Sequence, residues 1–192
     1  MQTQSSSCWY LIKLEWLKMR SHKTVKISLA LYIILLPLLF LAVKAMFLSE
    51  GQAAATLRPL FNGSYLWDTI AYWASWLSFF LLVYLSVLSV SAEYSNRTLR
   101  QNLITGVERL QYLLGKGLMM LVLSLFATIY LCLVTLIFLA IDGSTSWFDG
   151  ADVLARFFVQ NLAYMSLAFM LTVMLRRSGL VMLLFFAYVM LV

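Results

Sequence analysis

The run from Gly117 to Ile141, GLMMLVLSLFATIYLCLVTLIFLAI, contains no charged residue. Crossing the hydrocarbon core of a bilayer takes about 20 predominantly apolar residues, and this run has both the length and the composition. Lipid offers the backbone no hydrogen-bond partners, so a chain inside it satisfies its own amides, and a helix does so within one segment. Three further runs have the same character: Ile27 to Val43, Thr69 to Ala92, and Phe157 to Leu175. The first extends to Leu48 if Lys44 snorkels its amine to the headgroups. A fifth run begins at Ser178 and is still apolar at Val192. The expected fold is therefore all-α integral membrane, a single transmembrane domain over 1–192, with spans at 27–48, 69–92, 117–141, 157–175 and 178–192. Pro37 lies inside the first span and is expected to kink it, because its ring removes one backbone hydrogen bond.

Composition supports this. Hydrophobic residues make up 63% of the 192 and charged residues 11%, against about a quarter charged in soluble domains. A single water-soluble core is excluded, and the length leaves no room for a second, catalytic domain. Cys8 stands in the N-terminal segment and Cys132 in an apolar run, which makes neither a metal site nor a disulfide framework. No cleavable signal-peptide pattern precedes the first span.

The net charge of +6 would suit nucleic acid if it formed one face. Instead the charges sit between apolar runs. Lys13, Lys18, Arg20, Lys23 and Lys26 precede span one, Arg97, Arg100, Arg109 and Lys116 separate spans two and three, and Arg176 and Arg177 separate spans four and five. Lys44, Arg58 and Arg156 fall on the other side with Glu50, Asp68, Asp142, Asp149 and Asp152. The lysine- and arginine-rich side is expected to be the cytoplasm, with the N-terminus inside. Two outer loops, about Ser49 to Asp68 and Asp142 to Arg156, carry the turn dipeptides Asn62-Gly63 and Asp142-Gly143. Trp67, Trp73, Trp147 and Phe148 near span ends are expected to be interfacial anchors.

Two segments exceed what a membrane anchor requires. In Trp9 to Arg20, WYLIKLEWLKMR, helical spacing puts Trp9, Ile12, Trp16 and Met19 on one stripe and Tyr10, Leu14 and Leu17 on another, with Glu15 and Lys18 between. Such mixed stripes fit a helix over 8–24 lying at the cytoplasmic interface, lipid on one side and protein on the other. A basic anchor that only sets topology would not need two tryptophans. The second segment is Glu93 to Lys116, EYSNRTLRQNLITGVERLQYLLGK. It is too long for a tight turn, and Leu99, Leu103 and Val107 (or Ile104) recur at helical spacing, with Thr105-Gly106 as a break between two short helices. An apolar stripe among basic residues reads as a docking surface for a protein; a loop that only binds anionic lipid would not need the leucines.

This segment resembles the hallmark stretch of type-2 ABC exporter permeases. There, a glutamate ending span two precedes a threonine-leucine pair, then a small residue, valine, arginine and a glycine-lysine pair entering span three. The matching positions are Glu93, Thr98-Leu99, Gly106-Val107, Arg109 and Gly115-Lys116, and Leu14-Glu15-Trp16-Leu17-Lys18 is similar to the family's interfacial helix. Gly106 stands where the family often has proline. The resemblance implies an ATPase-coupling segment over 93–116, containing Glu93, Arg97, Thr98, Leu99, Arg100, Leu103, Thr105, Gly106, Val107, Arg109, Gly115 and Lys116. It also implies partner ABC ATPase subunits that hold ATP and magnesium, a second permease subunit (the same chain or another), and a cell membrane, here the bacterial inner membrane. Permeases of this family generally have six spans, so the resemblance implies an outer loop and a sixth span beyond Val192.

No phosphate-binding G-x-x-x-x-G-K-[ST] is present, since Gly115-Lys116 is followed by Gly117. Hydrolysis would thus belong to another polypeptide, and no cofactor is expected on this chain. His22, the only histidine, sits in the basic N-terminal cluster. A secondary transporter or channel is the competing reading. Ion-coupled carriers place carboxylates at membrane depth, and spans two to five have none; nor is an inverted repeat visible. An intramembrane enzyme would need a base beside Ser86, Ser124, Thr128 or Thr135, which otherwise serve helix packing. A non-transporting scaffold is a third possibility, and the nature of any cargo is not written in these residues.

Overall fold

The computed structural model describes residues 16–17, 23–48, 65–95, 109–141, 147–175 and 177–191. Its elements are helices: α1 (Lys23–Leu48), α2 (Tyr65–Ser95), α3 (Arg109–Ile141), α4 (Val153–Leu175) and α5 (Ser178–Leu191). Among the described residues there is no strand. The first four are long and apolar enough to cross a membrane, while α5, with 14 residues, is a shorter apolar helix. The chain is thus a multi-pass, all-helical membrane protein with four full-length candidate spans.

The helices overrun the charge-free runs. α2 starts at Tyr65 and ends at Ser95, α3 starts at Arg109 and α4 at Val153. Charges mark where hydrocarbon ends, but the backbone bonds of a helix stop only at a capping or breaking signal. With 31 and 33 residues, α2 and α3 extend about 46 and 50 Å, well beyond a hydrocarbon core of about 30 Å.

The helices contribute to two compact units. One comprises the described parts of Leu29–Leu81 and Ser124–Asn161, the other those of Met1–Ser28, Leu82–Leu123 and Leu162–Val192. In the first, the hydroxyls of Tyr32 on α1 and Ser78 on α2 share a hydrogen bond of 3.0 Å. Between α1 and α3, the rings of Tyr32 and Tyr130 lie 5.9 Å apart and those of Phe40 and Phe138 4.6 Å apart. Both members advance by the same eight positions, so α1 and α3 run parallel. The same holds for α2 and α4, where Asp68 meets Arg156 at 3.5 Å and, further along both helices, Ser75 donates to Gln160 Oε1 at 3.4 Å. Successive spans that alternate in direction require these two parallel pairs. Ser124 ties α3 to α4 by donating to the carbonyl of Phe158 at 3.0 Å.

In the other unit, Lys116 of α3 reaches α2, as described below, and the rings of Tyr164 on α4 and Phe185 on α5 meet edge to face at 6.0 Å. Phe185 and Val181 are the buried residues of α5.

One aromatic expectation is overturned. Trp67 is fully buried and cannot anchor the chain in the headgroups. It falls on the inward stripe of α2 with Ala71, Ala74 and Ser78, all buried, because α2 begins a turn earlier than the charge-free run. Trp147 and Phe148 are exposed, as an interfacial position requires. They open the turn into α4, in which Ala151 N donates to Phe148 O. Gly150 takes φ of 100° there, a left-handed conformation that a side chain would resist.

Candidate functional site

Helix α2 carries the chain through Glu93 to Ser95, and α3 resumes at Arg109. The two ends of the Glu93–Lys116 segment are therefore helical continuations of spans two and three. Arg97, Thr98, Leu99, Arg100, Leu103, Thr105, Gly106 and Val107 lie outside the described residues, as do Trp9, Ile12, Glu15 and Lys18 of the N-terminal segment. Trp16 is helical and exposed, as is its neighbour Leu17.

Gly115 and Lys116 are buried, the lysine with only 3% of its surface exposed. Its ammonium donates to the backbone carbonyl of Ser89, Nζ to O 3.5 Å. The acceptor is a carbonyl about two turns inside α2, which has no basic residue in its own last turn. Read from sequence, Lys116 is a boundary charge like Arg109. The signal that sets it apart is its setting: it stands alone between Leu113-Leu114-Gly115 and Gly117-Leu118, without the polar neighbours that surround the other loop charges.

The opposite ends of α2 and α4 carry an exposed cluster. Arg156 Nη2 lies 2.9 Å from Asp152 and 3.5 Å from Asp68. These three belong to the residue set that charge placement assigns to one side, and the fold brings them together.

Several of the intramembrane hydroxyls bond backbone carbonyls. Ser86 donates to Val83 O, Thr128 to Ser124 O, and Thr135 to Leu131 O, each about one turn back along its own helix. Such back-bonding hides a hydroxyl from lipid. Among the described residues, Trp67 Nε1 and Asn161 Nδ2 are buried polar atoms without a partner.

Comparison with known families gives a match over residues 11–192 to the model described as "ABC-2 family transporter protein". No curated protein and no solved structure gives a significant match. The matched region takes in every described helix, the buried Lys116 and the whole Glu93–Lys116 segment, and the chain belongs to the ABC-2 family of transporter proteins, as a membrane permease of ABC transport.

Proposed function

We propose that this chain is the membrane-spanning subunit of an ATP-driven exporter that works as a dimer and binds separate ABC ATPases through the Glu93–Lys116 segment. The supporting observation is the continuity of that segment with α2 and α3: anything that pushes on it acts directly on two spans. Orientation follows from charge, with the N-terminus and this segment in the cytoplasm of a cell membrane and the Asp68–Arg156 cluster outside. By the same charge rule, the interfacial helix expected over 8–24, containing Trp9, Ile12, Glu15, Trp16 and Lys18, is on the same side as the segment. ATP and magnesium are held by the ATPases, whose closure drives the spans of the two permease subunits against each other.

An ion-coupled carrier is disfavoured by where the ionisable groups fall. Within the candidate spans, Lys23, Lys26, Lys44, Asp68, Lys116 and Arg156 all lie toward helix ends, and no carboxylate stands at mid-depth to bind a driving ion. Affinity purification of the tagged chain from its native membrane tests the proposal. Recovery of an ABC ATPase, with ATP hydrolysis that depends on the permease, is expected. Recovery of the chain without any ATPase, under conditions that preserve other membrane complexes, would overturn it.

A further inference from the structure

We propose that Lys116 is a positioning residue that clamps the exit of α2 to the entry of α3, so that the two feet of the intervening segment move as one body. Its part in coupling rests on the function proposed above; the clamp itself rests on geometry. The contact with Ser89 lies about two turns before the end of α2 at Ser95 and about two turns after the start of α3 at Arg109. It is therefore equally deep on both helices, as a brace between antiparallel neighbours has to be. The Ser89 carbonyl has two lone pairs; one serves the helical bond to the Glu93 amide, and Lys116 takes the other. The hydroxyl of Ser89 turns back to Ser86 O at 2.9 Å, which leaves the carbonyl as the group facing α3.

A lysine suits this task for a reason specific to lipid. Apolar contact between helices gains little there, because lipid tails are as apolar as leucine. A buried ammonium, in contrast, loses its acceptors when the helices part, and an uncompensated charge away from water is costly. Lys116 counts the Ser89 carbonyl among its partners, so separating these helix ends takes that acceptor from a buried ammonium. Neighbouring positions do not offer this: Leu113 and Leu114 are exposed apolar residues, and at Gly117 an added Cβ would meet nothing within 4 Å.

The experiment measures the distance between spin labels at Ser91 and Leu114, one labelled copy per complex, with Cys8 and Cys132 replaced by serine. The full permease–ATPase complex is placed in phosphatidylethanolamine–phosphatidylglycerol vesicles, without nucleotide and then with ATP and vanadate. A single narrow distance in both states is expected for Lys116 and for Lys116→Arg. Lys116→Met keeps the bulk and removes the donor, and should raise the separated population by at least about ten-fold, the lower end of what a hydrogen bond from a charged donor is worth. A Lys116→Met distribution that coincides with the parent in both states would overturn the clamp. Should that variant fail to insert, Lys116→Leu, which likewise lacks a donor, is read with the same two outcomes. ATP hydrolysis by the same samples separates the two proposals: broadened distances with unchanged hydrolysis would support the clamp and remove its role in coupling.

Discussion

The hydroxyl of Tyr130 donates to the backbone carbonyl of Ile33, the carbonyl that Pro37 leaves without its helical partner. A helix pairs each carbonyl with the amide four residues on; at position 37 that amide is missing. In water the orphan would be hydrated, but in a bilayer another part of the protein has to supply the donor. Tyr130, 97 positions away on α3, does so, and α1 runs helical from Lys23 to Leu48 through the proline. The same tyrosine ring lies against Tyr32.

Tyr130→Phe should therefore lower stability by about 1 kcal/mol, between the average of about 0.6 and the maximum of about 1.7 kcal/mol found for hydrogen bonds between membrane helices. In a Pro37→Ala background the amide of residue 37 returns and the loss should shrink. A double-mutant cycle in unfolding from bicelles is expected to show coupling of at least about 0.5 kcal/mol. Strictly additive effects would mean that the tyrosine contributes packing rather than a partner for Ile33.

The outer cluster predicts a weaker effect. Arg156, Asp68 and Asp152 are all more than half exposed, so water screens their attraction. Arg156→Ala should lower stability by no more than about 1 kcal/mol, and concentrated salt should erase the difference. A larger, salt-insensitive loss in thermal unfolding would show that this cluster locks the ends of α2 and α4.

Much of the fold is legible in the sequence because lipid imposes a simple rule. A charge-free run long enough to cross has few alternatives to a helix, and α1 to α4 follow. Helix ends are less legible, since α2 and α3 continue through Glu93 and Arg109, where composition has already turned polar. Pro37 announces an orphan carbonyl, but nothing near it in sequence names Tyr130 as the donor. Trp67 and Lys116 show the converse problem. Both stand near span ends, where a tryptophan suggests the headgroup region and a lysine the cytoplasm, yet both are buried. Their facing is a property of neighbouring helices. The candidate coupling positions rest on pattern and family resemblance, and the described structure reaches only the segment's two feet.

Topology is checked most directly by single cysteines at Asn62 and Asn102 in a background lacking Cys8 and Cys132. In intact cells, an impermeant thiol reagent should modify the residue at position 62 and spare that at 102, with equal labelling after the membrane is opened. Equal labelling at both positions before opening would invert or dissolve the proposed arrangement.

Coupling can be decided by the rank order of substitutions within the segment. If it docks on an ATPase, its apolar stripe should matter more than its exposed charges. Burying a leucine is worth about 1.5–3 kcal/mol, whereas an exposed ion pair is typically worth about 1 kcal/mol or less. Leu99→Asp and Leu103→Asp are therefore expected to release the ATPase on purification and abolish permease-dependent hydrolysis, while the chain remains in the membrane. Arg100→Ala should leave both nearly intact. Glu93→Gln keeps the shape of the side chain and removes its charge at the end of α2, so it should weaken coupling without preventing assembly. A segment that only binds anionic lipid predicts the opposite order, with the arginines dominant and the leucines tolerant. A Leu99→Asp chain that still captures its ATPase and stimulates hydrolysis would end the docking proposal.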